Sequence, residues 1–140
     1  MAEITKAQLV ELAQDKLRDA KILFAAGRAT NAYYLAGYSV GLMLKAILSG
    51  RFRENSLPDR SLFNQVFTHD LEKLVRTALL DTALKERQKD DPDFQGYWQV
   101  VLGWSEESRY GVYHLDQTKA LLQAIEDQEH GVLPWLHDKL

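Results

Sequence analysis

Apolar residues recur at helical spacing along nearly the whole chain, and no stretch alternates long enough to make a useful strand. Thr5 opens the first pattern. Its hydroxyl can cap free backbone N–H groups, and Gln8 stands behind it in capping-box position. Leu9, Leu12, Ala13, Leu17, Ala20, Leu23 and Phe24 form one face, with Glu11, Lys16, Arg18 and Lys21 on the other. Gly27 then supplies a left-handed stop.

The second pattern has no polar face. From Ala29 to Leu44 there is no charged residue, as expected of a bundle's central helix. Gly37 and Gly41 leave a flat strip where another helix, of this chain or of a second subunit, can approach. Tyrosines, glycines and Lys45 dilute the run too far for a bilayer span. Gly50 to Arg60 reads as a connector with a turn at Pro58-Asp59. Leu62, Phe63, Val66 and Phe67 read as a short helical turn sealing one end of the core. Thr68 is placed to cap a third helix bearing Leu71, Leu74, Val75, Ala78 and Leu79, which runs out into a polar linker, Lys85 to Asp91. Asp93 is placed to cap a fourth, with Phe94, Tyr97, Trp98, Val101 and Leu102. Leu115 to Gln128 makes the last, beyond which Trp135, Leu136 and Leu140 can fold back on the bundle. The prediction is an all-α, antiparallel up-and-down bundle of four to five helices. It forms one domain over 1–140, with its core at about 5–128 and a C-terminal tail at 129–140.

Composition narrows the chemistry. With no cysteine among 140 residues there are no disulfides, thiolate metal sites or thiol nucleophiles, which suits a cytoplasmic protein. The first residues lack the apolar run of a secretory signal, so neither export nor a membrane role is expected. A net charge of −3 argues against coating nucleic acid by bulk electrostatics, leaving room only for a local basic patch. Arg51, Arg53 and Arg60, with Lys45 before them, are either that patch or an exposed polar loop. His130 and His137 match no metal template. There is no phosphate loop, dinucleotide fingerprint, nucleophile elbow or HExxH, so no metal and no cofactor are expected.

One element joins an always-charged phosphate ligand to a neutral-pH acid/base: Arg109 and His114, five residues apart in Ser-Arg-Tyr-Gly-Val-Tyr-His. On a straight helix, positions so spaced diverge by about 140°. Gly111 can open the turn so that both face one cleft, or a cleft shared with a second subunit. Metal-free RNA cleavage needs a base for the 2′-hydroxyl, an acid for the leaving oxygen and a cation for the phosphorane. One Arg and one His can fill those roles, most readily with two of each in a dimer. The alternative is a structural Arg and His at a loop. Tyr110 and Tyr113 flank the pair and can reach a ligand, whereas Tyr33, Tyr34, Tyr38, Tyr97, Trp98 and Trp104 read as core. Glu106 and Glu107 read as solvent-facing or local ion-pair partners. His69 and Asp70 open the third helix, in a structural role or near Arg109.

Three pieces in order carry a family resemblance: the apolar second helix ending Leu44-Lys45-Ala46-Ile47-Leu48, the segment His69-Asp70-Leu71-Glu72-Lys73-Leu74, and Arg109-Tyr110-Gly111 ahead of the final helix. From about Leu9 to Ile125 the chain resembles the HEPN family (higher eukaryotes and prokaryotes nucleotide-binding domain). The resemblance implies a helical bundle, commonly a homodimer. Many members are metal-independent endoribonucleases with an R-x4-6-H motif, onto which Arg109 and His114 map as catalytic residues. Lys45, His69, Asp70, Tyr110 and Tyr113 then become candidates for contacting nucleotide or RNA. Other members accompany a small nucleotidyltransferase, as a toxin or as a nucleotide-binding subunit. Tyr110, directly after the arginine, and Gly41, where many relatives have Glu, favour the alternative of a non-catalytic nucleotide- or partner-binding module.

Overall fold

The computed structural model describes residues 4–52, 55–57 and 59–140; Arg53 and Pro58, named above, lie outside them. The chain folds as an all-α bundle with no strand among the described residues. Helix α1 spans Lys6–Ala25 and α2 Ala29–Leu48, followed by the short α3 (Arg60–Gln65) and α4 (Leu71–Thr77). Next come α5 (Asp81–Asp90), α6 (Pro92–Leu102), α7 (Leu115–Glu126) and α8 (Val132–His137).

Local chemistry sets the first two helices as expected. Thr5 Oγ1 accepts from the Gln8 N–H at 3.1 Å, and Gln8 Oε1 accepts in return from the Thr5 N–H at 2.9 Å. Gly27 takes φ 78°, and the next N–H, on Arg28, closes onto the Leu23 carbonyl. Helix α2 is the centre of the bundle, packed by α1, α4, α7 and α8, and its uncharged residues are buried on most sides. The α1 stripe differs in one place. Leu12 is exposed while Val10 packs against the core.

The middle of the chain departs further from the sequence reading. Asp70, not Thr68, caps α4 by accepting from the Lys73 N–H, and the Thr68 hydroxyl instead accepts from the Asp70 N–H. Helix α4 stops early because Leu79 adopts φ 62° and the Leu80 N–H closes back on the Val75 carbonyl. The stretch read as a polar linker is therefore a helix of its own, α5. Asp91, not Asp93, caps α6, accepting from the Asp93 and Phe94 N–H groups with Pro92 at the first helical position. Of the four apolar residues meant to seal the core near α3, Leu62 is buried and Val66 packs against it. Phe63 and Phe67 lie on the surface and meet edge-on at 5.4 Å. At the other end, α8 buries Val132, Leu133, Trp135 and Leu136, so the C-terminal segment belongs to the core.

Asp91 does more than cap. Its second carboxylate oxygen lies 2.7 Å from His130 Nδ1 and 3.2 Å from Arg87, tying the α5–α6 junction to the turn before α8. The hydrogen bond to Asp91 raises the His130 pKa, aided by the charges of Asp91, Asp93 and Asp127, and His130 holds the Asp91 carboxyl below its usual range. A raised histidine stabilises the fold fully below its unfolded value of about 6.5 and loses that contribution as pH climbs through the folded value. Asp91 contributes above its unfolded value of about 3.9 and loses its share as pH falls through the lowered one. The stability gap between wild type and His130→Asn, read by urea unfolding, should therefore be larger at pH 6 than at pH 9. A gap independent of pH would exclude the ion pair.

Candidate functional site

The turn that carries Arg109 is pinned at both ends. Where α6 stops at Leu102, Trp104 folds back over α2, and its indole N–H donates to the Tyr34 carbonyl at 3.1 Å. The ring lies on Gly37: a Cβ there would come within 2.2 Å of it. This indole, not a neighbouring helix, takes the flat strip expected at Gly37. Past Trp104 runs a 3-10 turn, Glu106–Tyr110, closed by Ser105 and Ser108 bonding to one another. Tyr113 then anchors the exit. Its ring stacks on Tyr33 at 3.8 Å, its hydroxyl bonds the Ser108 hydroxyl at 3.2 Å, and its N–H donates to Thr30 Oγ1 at 3.1 Å.

This frame sets Glu106 among basic side chains from three segments. The same carboxylate oxygen lies 3.7 Å from Arg109 Nη1 and 3.7 Å from His69 Nε2. Both distances exceed the roughly 2.7–2.9 Å of a charged hydrogen bond, so the glutamate is shared loosely. Lys45, half-buried on α2, is the third basic group: burial lowers its pKa and the Glu106 charge opposes that shift. Lys45 and Arg109 thus share the Glu106 carboxylate. The Arg109 guanidinium also lies over the Tyr110 ring at 4.8 Å. Beside it burial pushes the Tyr34 phenol up, while Arg109 opposes that by charge and hydrogen bond.

Tyr34 and Tyr38, read as core from sequence, are only partly buried, and they form an aromatic edge to this cluster. Their rings are 5.7 Å apart, and Tyr38 is 5.9 Å from His69. Tyr34, Tyr38 and Lys45 stand at helical spacing on α2, a signal present in the sequence. Glu106 had no such signal, since its partners lie far away along the chain. On the other side of Glu106 is a cavity of about 440 Å³, whose lining includes Asp70, Glu72 and Glu107. Those carboxylates make the cavity unfavourable to an anion.

The site therefore brings together Lys45, His69, Arg109 and Tyr110. Asp70 lines the adjoining cavity with its carboxylate occupied in capping α4. Tyr113 faces Tyr33. His114 is exposed as the N-cap residue of α7, its N–H held by Gln117 Oε1 at 2.9 Å, and no hydrogen bond or ion pair joins it to Arg109 among the described residues. Elsewhere, Asp91, Asp93 and His130 come close enough to share an ion. The hydrogen bonds of Asp91 already account for that grouping. No family model, curated protein or solved structure matches this chain.

Two outcomes check this geometry. Gly37→Ala must push the Trp104 ring off α2 and should cost about 1–3 kcal/mol or more in urea unfolding, as overpacking does. An unchanged midpoint would mean that the ring does not lie there. Glu106→Gln should lower the Lys45 pKa further, seen as an acid shift of its titration by NMR of dimethylated lysines, while Lys85 stays unmoved.

Proposed function

We propose that this chain is a HEPN-type helical domain that binds a phosphate-bearing ligand, a nucleotide or RNA, at the Arg109 cluster. The carrying observation is the convergence of Lys45, His69 and Arg109 on a single carboxylate beside the half-exposed Tyr34 and Tyr38. Cations attract phosphate, and an arginine can grip it with two parallel N–H groups. Aromatic faces next to a phosphate site suit a stacked base. Tyr110, under the guanidinium, keeps Arg109 turned to this edge. Following the resemblance, the domain acts as a homodimer and as the partner of a small nucleotidyltransferase in a toxin–antitoxin-like pair.

A second reading is metal-independent endoribonuclease activity, with His114 as general acid/base and Arg109 stabilising the phosphorane. The exposure of His114 favours it, because the ring is open to a substrate held by another copy. No hydrogen bond or ion pair joins the two residues among those described, so this reading pairs Arg109 of one copy with His114 of another.

Titration with ADP and with a short single-stranded RNA at low salt tests the binding reading. Arg109→Ala should weaken binding at least tenfold, while the fold, checked by thermal melting, is kept. Equal binding by the variant would sink it. For the nuclease reading, the homodimer in EDTA should cut RNA and His114→Ala should not; intact RNA with both would rule it out.

A further inference from the structure

We infer that a second anion site, separate from the Arg109 cluster, lies in the cavity between α3 and α4 and takes a phosphate group. The cavity holds about 530 Å³ and is lined by Arg51, Lys73 and Arg76 with polar side chains and, unlike its neighbour, with no carboxylate among the described residues. That size falls among small-ligand pockets, which run from about 300 to 1,000 Å³. The two cavities meet at Thr68, which lines both. Positive and negative charge are thus sorted to opposite sides of one threonine, in a protein whose net charge is −3.

The wall is organised before any ligand arrives. Arg51 Nη1 donates to the Thr77 carbonyl at 2.7 Å, which fixes the guanidinium and leaves its other N–H groups for a ligand. The Thr77 hydroxyl bonds Gln65 Oε1 at 2.9 Å, and Gln65 Nε2 bonds Ser61 at 3.0 Å, so the polar rim is held by its own bonds. Lys73 and Arg76, both exposed, stand three apart on α4 and therefore on one face. Of the basic residues expected to cluster with Arg51, Arg60 does not line this cavity, Lys45 stands by His69 and Trp104, and Arg53 lies outside the described residues; Arg51 is joined instead by Lys73 and Arg76 of α4. Three cations and an oriented rim suit a multiply charged oxyanion, either the phosphates of a nucleotide or those of an RNA chain.

Inorganic pyrophosphate titrated into the full chain at constant ionic strength tests this, with amide resonances read by NMR. Shifts should centre on Gln65, Thr68 and Thr77. Read at those three resonances, Lys73→Gln and Arg76→Gln should each weaken binding at least fivefold, while Lys85→Gln, which removes the same charge elsewhere, should change it less than twofold. Both α4 positions are exposed, and melting temperatures verify that the variants fold. No shift at Gln65, Thr68 and Thr77, or equal weakening by Lys85→Gln, would overturn this site whether or not resonances around Arg109 respond. Displacement of pyrophosphate by a twelve-nucleotide single-stranded RNA but not by ADP identifies a chain phosphate, and the reverse identifies a nucleotide. Displacement by neither counts against a phosphate-bearing ligand.

Discussion

The close approach of the Trp104 indole to the α2 backbone at Gly37 is the constraint on which the site depends. A large aromatic ring can lie on a helix only where a side chain is missing, and Gly37 provides that place. The indole N–H would be costly to bury alone, and the Tyr34 carbonyl satisfies it. From this one contact the 3-10 turn inherits its position, and with it Glu106 and Arg109. The core and the functional surface are therefore two sides of the same helix: Val40, Met43 and Leu44 face inward, while Tyr34, Tyr38 and Lys45 border the charges.

Electrostatics then divides the surface on a scale of a few residues. Glu106 sits between Arg109 and His69 with carboxylates behind it, and beyond Thr68 the lining turns basic. A mildly acidic protein can in this way present confined positive potential. At physiological salt the screening length is about 8 Å, so each patch acts chiefly on charges close to it. Composition alone reports only the average.

What could be read from the sequence was local. The Thr5–Gln8 box, the stop at Gly27 and the apolar α2 depend on residues three or four apart, and the structure has them in place. Caps at α4 and α6 lie two residues from Thr68 and Asp93: the Asp70 carboxylate takes the first, and at the second Pro92 occupies the first helical position and leaves the cap to Asp91. The division into α4 and α5 left no mark, since leucine is not a residue that announces a left-handed turn. Likewise the ring of charge about Glu106 draws on Lys45, His69 and Arg109, whose spacing along the chain carries no period. Long-range convergence is what a one-dimensional pattern lacks.

Leu79 shows how such a position can persist. A branched-chain residue at φ 62° costs on the order of 1 kcal/mol relative to glycine, and its side chain, 71% exposed, recovers little of that by burial. The corner holds because Leu80 and Leu84 on one side and Leu74 and Val75 on the other are locked in the core. Its geometry is dictated by its neighbours' packing and not by its own preference. The corner thus carries a margin: glycine or asparagine at residue 79 relieves the backbone, and that gain offsets the loss from a destabilising change made elsewhere in the chain.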